Sequence, residues 1–302
     1  MFCHLHTHSS FSPGYGVHPP AALCAGARAL GLTHLALTDR NGLYGIPQFL
    51  EQAAEHGIRP IIGAEAVSGR QRAVLLARDG EGYANLCRLL SELHCRAGFE
   101  LPAALRRYRA GLVVLSDDAD LLASLGRDGR EGLYVELSPG HNMHRALACA
   151  RSLRLPPVAT SRATLLEPED LELHRVLRAI HLNTKLCRLE ADSLARPWDR
   201  LLSEAELADH FPHCPEALEN AGQIAELCQS DWDFSATIFP AFRGLGGAEA
   251  FAELERRARA GALWRYGGID EPVETRLQKE LGIIGAKGFA HYFLVVEEIA
   301  AQ

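Results

Sequence analysis

Over the first 180 or so positions, short apolar runs alternate with longer amphipathic stretches. The runs at 2–6, 33–38, 59–66, 72–77, 112–116, 133–137 and 157–160 are rich in Leu, Val, Ile, Ala and Thr and have the length of strands. Between them, 20–30, 46–56, 83–94, 142–153 and 169–180 repeat apolar residues at three- and four-residue intervals and predict helices, with Gly31, Gly57 and Gly111 where helices would stop. This alternation predicts an α/β fold built from βα units around a mostly parallel sheet, and seven runs predict a distorted seven-stranded barrel. In such barrels the chemistry gathers at the C-terminal ends of the strands, where the loops converge on one mouth.

After position 183 the strand pattern stops. A loop-rich stretch through Arg200 leads to helical patterns at 203–210 and 215–228, the first opened by Ser203 and Glu206 in the spacing of a capping box. Gly244, Gly246 and Gly247 mark a linker before helical patterns at 248–264 and 271–299, the latter interrupted near Gly285 and Gly288. The expected organisation is therefore a barrel at 1–182, a loop-rich and helical completion at 183–242, and a helical extension at 243–302.

Composition narrows the function classes. No apolar run approaches a bilayer span, and the N-terminus lacks the basic start and apolar stretch of a secretory signal, so a cytoplasmic protein with thiol cysteines is expected. The eight Cys include no C-x-x-C pair, which argues against a zinc ribbon, and a net charge of −7 gives no sign of a non-specific grip on nucleic acid. No phosphate-binding glycine loop and no Gly-x-Ser-x-Gly turn is present.

The 14 His matter more for their placement than their number. His4, His6 and His8 alternate with Leu5 and Thr7, so a regular strand would point all three imidazoles to one face. Asp39 and Glu65 fall at the ends of the second and third runs, at the same expected mouth. Neutral imidazoles from rigid backbone beside a carboxylate make a metal site. His141 and His144 follow a strand end and could approach the mouth; His18, before two prolines, reads as a turn residue, and His210 and His213 as surface.

At this point HLHTHSSFS, ALTDRNGLYG and RPIIGAEAV, in that order, resemble the polymerase and histidinol phosphatase (PHP) domain that opens the alpha subunit of bacterial DNA polymerase III, a C-family polymerase. LLARDGEGYANLCRL, GLVVLS, LYVEL, HRVLRAI, LENAGQIAELC and LQKELGIIGAKGFAHYFLVVEEI extend the resemblance over nearly the whole chain. It implies a PHP-type barrel whose metal-bearing members hold three ions, and DNA synthesis with Mg in a full protein whose palm domain would follow. Of the ligands it implies, His6, His8 and Glu65 are retained, with Asp39 as a supporting group. The loop ligand falls near Tyr15 and a later one near Asp118, while three ligand positions are occupied by Arg40, Arg72 and Arg162. Arginine stays protonated and cannot coordinate a cation.

The expectation is a degraded metal site of mainly structural role, holding at most one divalent ion (Zn, Mn or Mg) at His6, His8 and Glu65, with the arginines paired to Glu65, Asp39 or Asp118. Alternatives are an arginine-lined phosphate pocket at the same mouth, a free-standing metal-dependent phosphoesterase, and a non-catalytic scaffold for a proofreading or accessory subunit. The implied partners are the other polymerase domains and, through them, DNA.

Overall fold

The structure is a computed structural model and describes residues 2–140, 143–234 and 240–301. It divides into two compact units, residues 1–232 and 233–302.

The first unit is organised by a six-stranded sheet whose spatial order follows the chain: β1 (His34–Leu37), β2 (Arg59–Ser68), β3 (Gln71–Ala77), β4 (Leu112–Ser116), β5 (Leu133–Leu137) and β6 (Pro157–Ala159). β1–β2, β4–β5 and β5–β6 are parallel, while β3 runs antiparallel to both neighbours. The reversal at β2–β3 is a two-residue turn led by Gly69 at φ 60°, a conformation that glycine adopts without steric cost. Among the described residues six strands form, not seven, because the N-terminal run is not a regular strand. It is nonetheless the stave that joins the two ends of the sheet, through bridges His4–Leu35 on one side and Thr7–Ala163 on the other.

The reason is a bulge. Ala36 N–H donates to the His4 carbonyl and Thr38 N–H to the Thr7 carbonyl, so three residues of the stave span two of β1. The Thr38 hydroxyl takes up the freed Thr7 N–H at 2.8 Å. The extra residue reverses the alternation, which corrects the expectation that His4, His6 and His8 share a face. His4 is buried elsewhere, with Nε2 2.9 Å from the Leu202 carbonyl and Nδ1 3.0 Å from Ser161 Oγ.

Helices α1 (Pro20–Ala29), α2 (Ile46–His56), α3 (Gly80–Cys95), α4 (Leu101–Tyr108), α5 (Ala119–Gly126), α6 (Met143–Leu153) and α7 (Asp170–His181) connect or follow the strands. The eight-residue α4 and α5 are too short for a clear helical period, and sequence patterning missed both. α8 (Glu204–His210) opens with the expected Ser203–Glu206 capping box, and α9 (Glu216–Leu227) packs on β6. Leu207, Ala221 and Ile224 join the core built from Leu35, Ile61, Leu75, Val114 and Val135, so this stretch completes the same hydrophobic interior. β1 and β4 are buried at every position, as befits strands covered on both faces.

The second unit contains α10 (Gly247–Tyr266), α11 (Glu271–Ala286) and α12 (Ala290–Ala300) around a small core of Phe242, Ala250, Leu254, Leu281, Ala290 and Leu294. The guanidinium of Arg259 donates to both Glu274 oxygens, at 2.6 and 2.9 Å, tying α10 to α11. No helix among the described residues is long and apolar enough to cross a membrane.

Candidate metal centre at the barrel mouth

The parallel strands deliver their C-terminal ends to one opening, and the N-terminal stave delivers His6 and His8 to the same place. His6, His8 and Glu65 are all buried, and one ligating atom of each lies within 4.8 Å of the others. The two rings meet edge to face with centroids 4.9 Å apart.

Glu136 on β5 sets the chemistry of His6. Its Oε1 lies 2.6 Å from His6 Nδ1 and also accepts from the Thr160 hydroxyl at 2.7 Å. A carboxylate can only accept here, so the geometry places a proton on His6 Nδ1 and turns Nε2 towards the mouth. His6 Nε2 lies 3.7 Å from Glu65 Oε1, beyond hydrogen-bond distance. His8 Nε2 is 3.3 Å from Glu65 Oε2 but outside hydrogen-bond geometry, and its Nδ1 has no hydrogen-bond partner among the described residues. Among the described residues, His6 Nε2 and both ring nitrogens of His8 are thus buried without a hydrogen bond, a cost that a cation bound by one nitrogen of each ring, or a water, would offset. The residues fit one divalent ion of the kind that takes imidazole and carboxylate together.

The rest of the mouth is held by arginine. Arg72 Nη1 is 3.2 Å from Glu65 Oε1, and its Nη2 lies 2.8 Å from Asp117 Oδ2 and 3.3 Å from Glu136 Oε2. Arg162 Nη2 reaches the same Asp117 oxygen at 2.8 Å and Glu136 Oε2 at 3.5 Å. Burial pushes the Glu65 carboxyl up, but His8, His6 and Arg72 together hold it well below the usual carboxylate range. Burial acts likewise on Glu136, and His6, Arg72 and Thr160 outweigh it, holding that carboxyl at about 2. Burial would lower the affinity of Arg72 for its proton, yet Glu136, Asp117 and Glu65 raise it above the ordinary arginine value. Arg162 adopts φ 51°, a left-handed conformation unusual for a long side chain, and the ion pairs hold it there.

The expected pairing is therefore right for Arg72 and Glu65 and wrong elsewhere. Asp39 accepts from the Ser9 amide and hydroxyl, both at 2.7 Å, and from the Ser12 hydroxyl at 2.6 Å, so it fastens the loop after His8 instead of an arginine. Asp118 caps α5 by accepting from the amides of Asp120 and Leu121, and the arginines take its neighbour Asp117. Arg40 makes no ion pair among the described residues; its guanidinium lies 4.4 Å from the Tyr15 ring centroid, and Arg178 lies 4.0 Å from the same centroid. His18 pairs with Asp170 at 2.7 Å, His144 is exposed on α6, and His141 falls outside the described residues.

Glu136 and Asp117 were not anticipated. Glu136 is a charge inside the apolar run LYVEL, which is itself a signal, because an acid in a strand covered on both faces must find a cation. Asp117 could have been separated from Asp118 by capping logic, since the residue immediately before a helix takes the cap.

His6, His8, Glu65, Arg72 and Arg162 line a cavity of about 260 Å³ together with Tyr15, Arg40 and His174. The family model described as PHP domain matches residues 4–154, half of the chain. An error-prone DNA polymerase of Symbiobacterium thermophilum is 32% identical over 99% of this chain and 32% of its own length. The DNA polymerase III subunit alpha of Bacillus subtilis is 30% identical over 98% of this chain and 29% of its own length. The chain spans about a third of the length of the curated relatives it matches. A solved amidohydrolase from Chromobacterium violaceum superposes with a TM-score of 0.40 at 17% identity, covering 53% of this chain and 87% of that one. With a matching family model over half its length, a sheet of the α/β type and a His, His, Glu cluster at the strand ends, the chain belongs to the PHP domain family.

Proposed function

We propose that this chain is the PHP part of a polymerase of the DNA polymerase III alpha type, in which DNA synthesis with Mg belongs to the remainder of a longer cytoplasmic polypeptide. In this reading the barrel is mainly structural. The observation that carries it is the placement of Arg72 and Arg162 in ion pairs with Glu65, Glu136 and Asp117. Guanidinium groups supply, as part of the chain, the positive charge that buried carboxylates need, and they repel additional cations. The palm and a proofreading or accessory subunit are the partners such a module would meet.

Within this reading His6 Nε2, His8 and Glu65 hold at most one divalent ion, with Zn or Mn favoured over Mg by the two imidazoles. Such an ion, when bound, would polarise a phosphoryl oxygen or acidify a water. The chain's own contribution is to orient His6 through Glu136, while Arg72 draws on one oxygen of Glu65 and so weakens it as a ligand.

A residual phosphoesterase is the second reading, favoured by the unbonded imidazole nitrogens beside an open cavity. Metal analysis of the purified chain, with a bis(p-nitrophenyl) phosphate assay, separates the two. The structural reading expects no more than one tightly held ion and no hydrolysis above background. Two or more ions per chain, or a hydrolysis lost in His8→Ala, would overturn it.

A further inference from the structure

Helix α7 is folded with its polar side inward. His174 and Arg178 are buried against the barrel: His174 Nδ1 donates to the Tyr15 carbonyl at 2.9 Å, its Nε2 accepts the Ala195 amide at 2.9 Å, and Arg178 Nε donates to the Ser193 carbonyl at 2.8 Å. The outer face carries Leu173, Val176 and Ile180, at 50%, 41% and 70% exposure, at the spacing of one helical stripe. Leu182 and Leu186 continue it at 46% and 47%. Surface helices of globular proteins turn their apolar stripe to the core, and a contiguous exposed stripe marks a contact surface.

Charge along the stripe indicates what covers it. The start is acidic, with Glu169 and Glu172 exposed, although Glu172 also takes an ion pair from Arg175 at 3.1 Å, so Glu169 carries the charge at this end. At the other end Asn183, at φ 47°, closes the helix while Thr184 N–H donates to the Ala179 carbonyl, so the exposed Lys185 and Arg188 follow directly. Glu169 and Lys185 are equidistant in sequence from Leu177. A helix of this kind is complementary to itself when turned end for end: apolar stripe meets apolar stripe, acidic end meets basic end, and the helix dipoles oppose.

We propose that the outer face of α7 is the contact surface for a second copy of this chain, paired antiparallel about a two-fold axis near Leu177, with Glu169 facing Lys185 of the partner subunit. Because the inner face of the same helix fastens Tyr15 and Ser193 to Ala195, the dimer contact and the rim of the metal centre share one element.

Sedimentation equilibrium of the full chain across the micromolar range tests this. The apparent mass is expected to rise from 33.0 kDa towards twice that value with concentration. Ile180→Glu is expected to weaken the dimer about tenfold or more while leaving the melting temperature unchanged at concentrations low enough for the parent to be monomeric, because the side chain is exposed. Glu169→Lys and Lys185→Glu should each weaken self-association, and an equimolar mixture of the two single variants should restore it as a heterodimer. A chain that stays monomeric throughout, a dimer indifferent to Ile180→Glu, or charge variants that do not recover on mixing would each overturn the proposal.

Discussion

The two sides of the barrel mouth solve one electrostatic problem differently. On the side of β3 to β6, Glu136 and Asp117 meet the guanidinium groups of Arg72 and Arg162, cations that the chain carries with it. On the side of the N-terminal stave, His6 Nε2 and the two ring nitrogens of His8 have no hydrogen-bond partner among the described residues. Glu65 stands between, sharing one oxygen with Arg72 and turning the other to His8. A guanidinium stabilises buried carboxylates without metal but offers no vacant coordination position and cannot act as a Lewis acid. The arginine side should therefore govern stability and the histidine side should govern ion binding, a division that mutations can break.

The largest effect is expected from Glu136→Gln. It removes a buried carboxylate that serves Arg72, Arg162 and His6 at once, leaving cations with reduced compensation, and such losses cost about 3–5 kcal/mol. Urea unfolding checks it; a loss below about 1 kcal/mol would mean that Asp117 and Glu65 already neutralise both arginines. The same carboxylate gives an acid limb. Its folded value of about 2 lies below the ordinary 4.5, so its stabilisation is fully present above about 4.5 and is lost as pH falls towards 2. Glu65 is shifted in the same direction and adds to that limb. In Glu136→Gln the acid limb should be shallower than in the parent.

The second effect belongs to the histidine side. Zn at a hundredfold excess over its dissociation constant should stabilise the chain by about 2.7 kcal/mol, as for any ligand that binds only the folded state. His8→Ala should abolish that gain yet cost the metal-free protein only about 1–2 kcal/mol, since neither ring nitrogen gives up a hydrogen bond. Thermal melts with and without chelator measure both quantities. If His8→Ala destabilised the metal-free chain as severely as Glu136→Gln, the division between the two sides would be lost.

The sequence was legible where a pattern repeated or a motif matched. The six strands, the long helices and the trio His6, His8 and Glu65 all fall where expected, because apolar periodicity and strand-end placement are encoded locally. The N-terminal stave was misread because a bulge is set by its partner: only the offset between His4, Thr7 and the β1 amides reveals the extra residue. The arginine partners were misread for a related reason. Which of Asp117 and Asp118 reaches the mouth depends on where α5 starts, and that Glu136 faces inward depends on the register of β5 between β4 and β6. The resemblance drew attention to Arg72 and Arg162 at the mouth, whereas the carboxylates that pair with them come from distant parts of the chain.

The smallest effect sharpens the boundary of the arginine side. Asp117 touches both Arg72 and Arg162 at 2.8 Å, closer than either arginine approaches Glu136, and distance alone would rank it first. Its side chain is 35% exposed, however, against 1% for Glu136, so water screens its attraction and solvates whatever replaces it. Asp117→Asn should therefore cost less than about 1 kcal/mol, and less still in 1 M salt, where the Debye length is about 3 Å. The Glu136→Gln loss should barely respond to salt. A salt-insensitive loss of several kcal/mol at Asp117 would show instead that the arginine side extends to the rim, with its carboxylates acting as one buried network and not as a buried pair with an exposed companion.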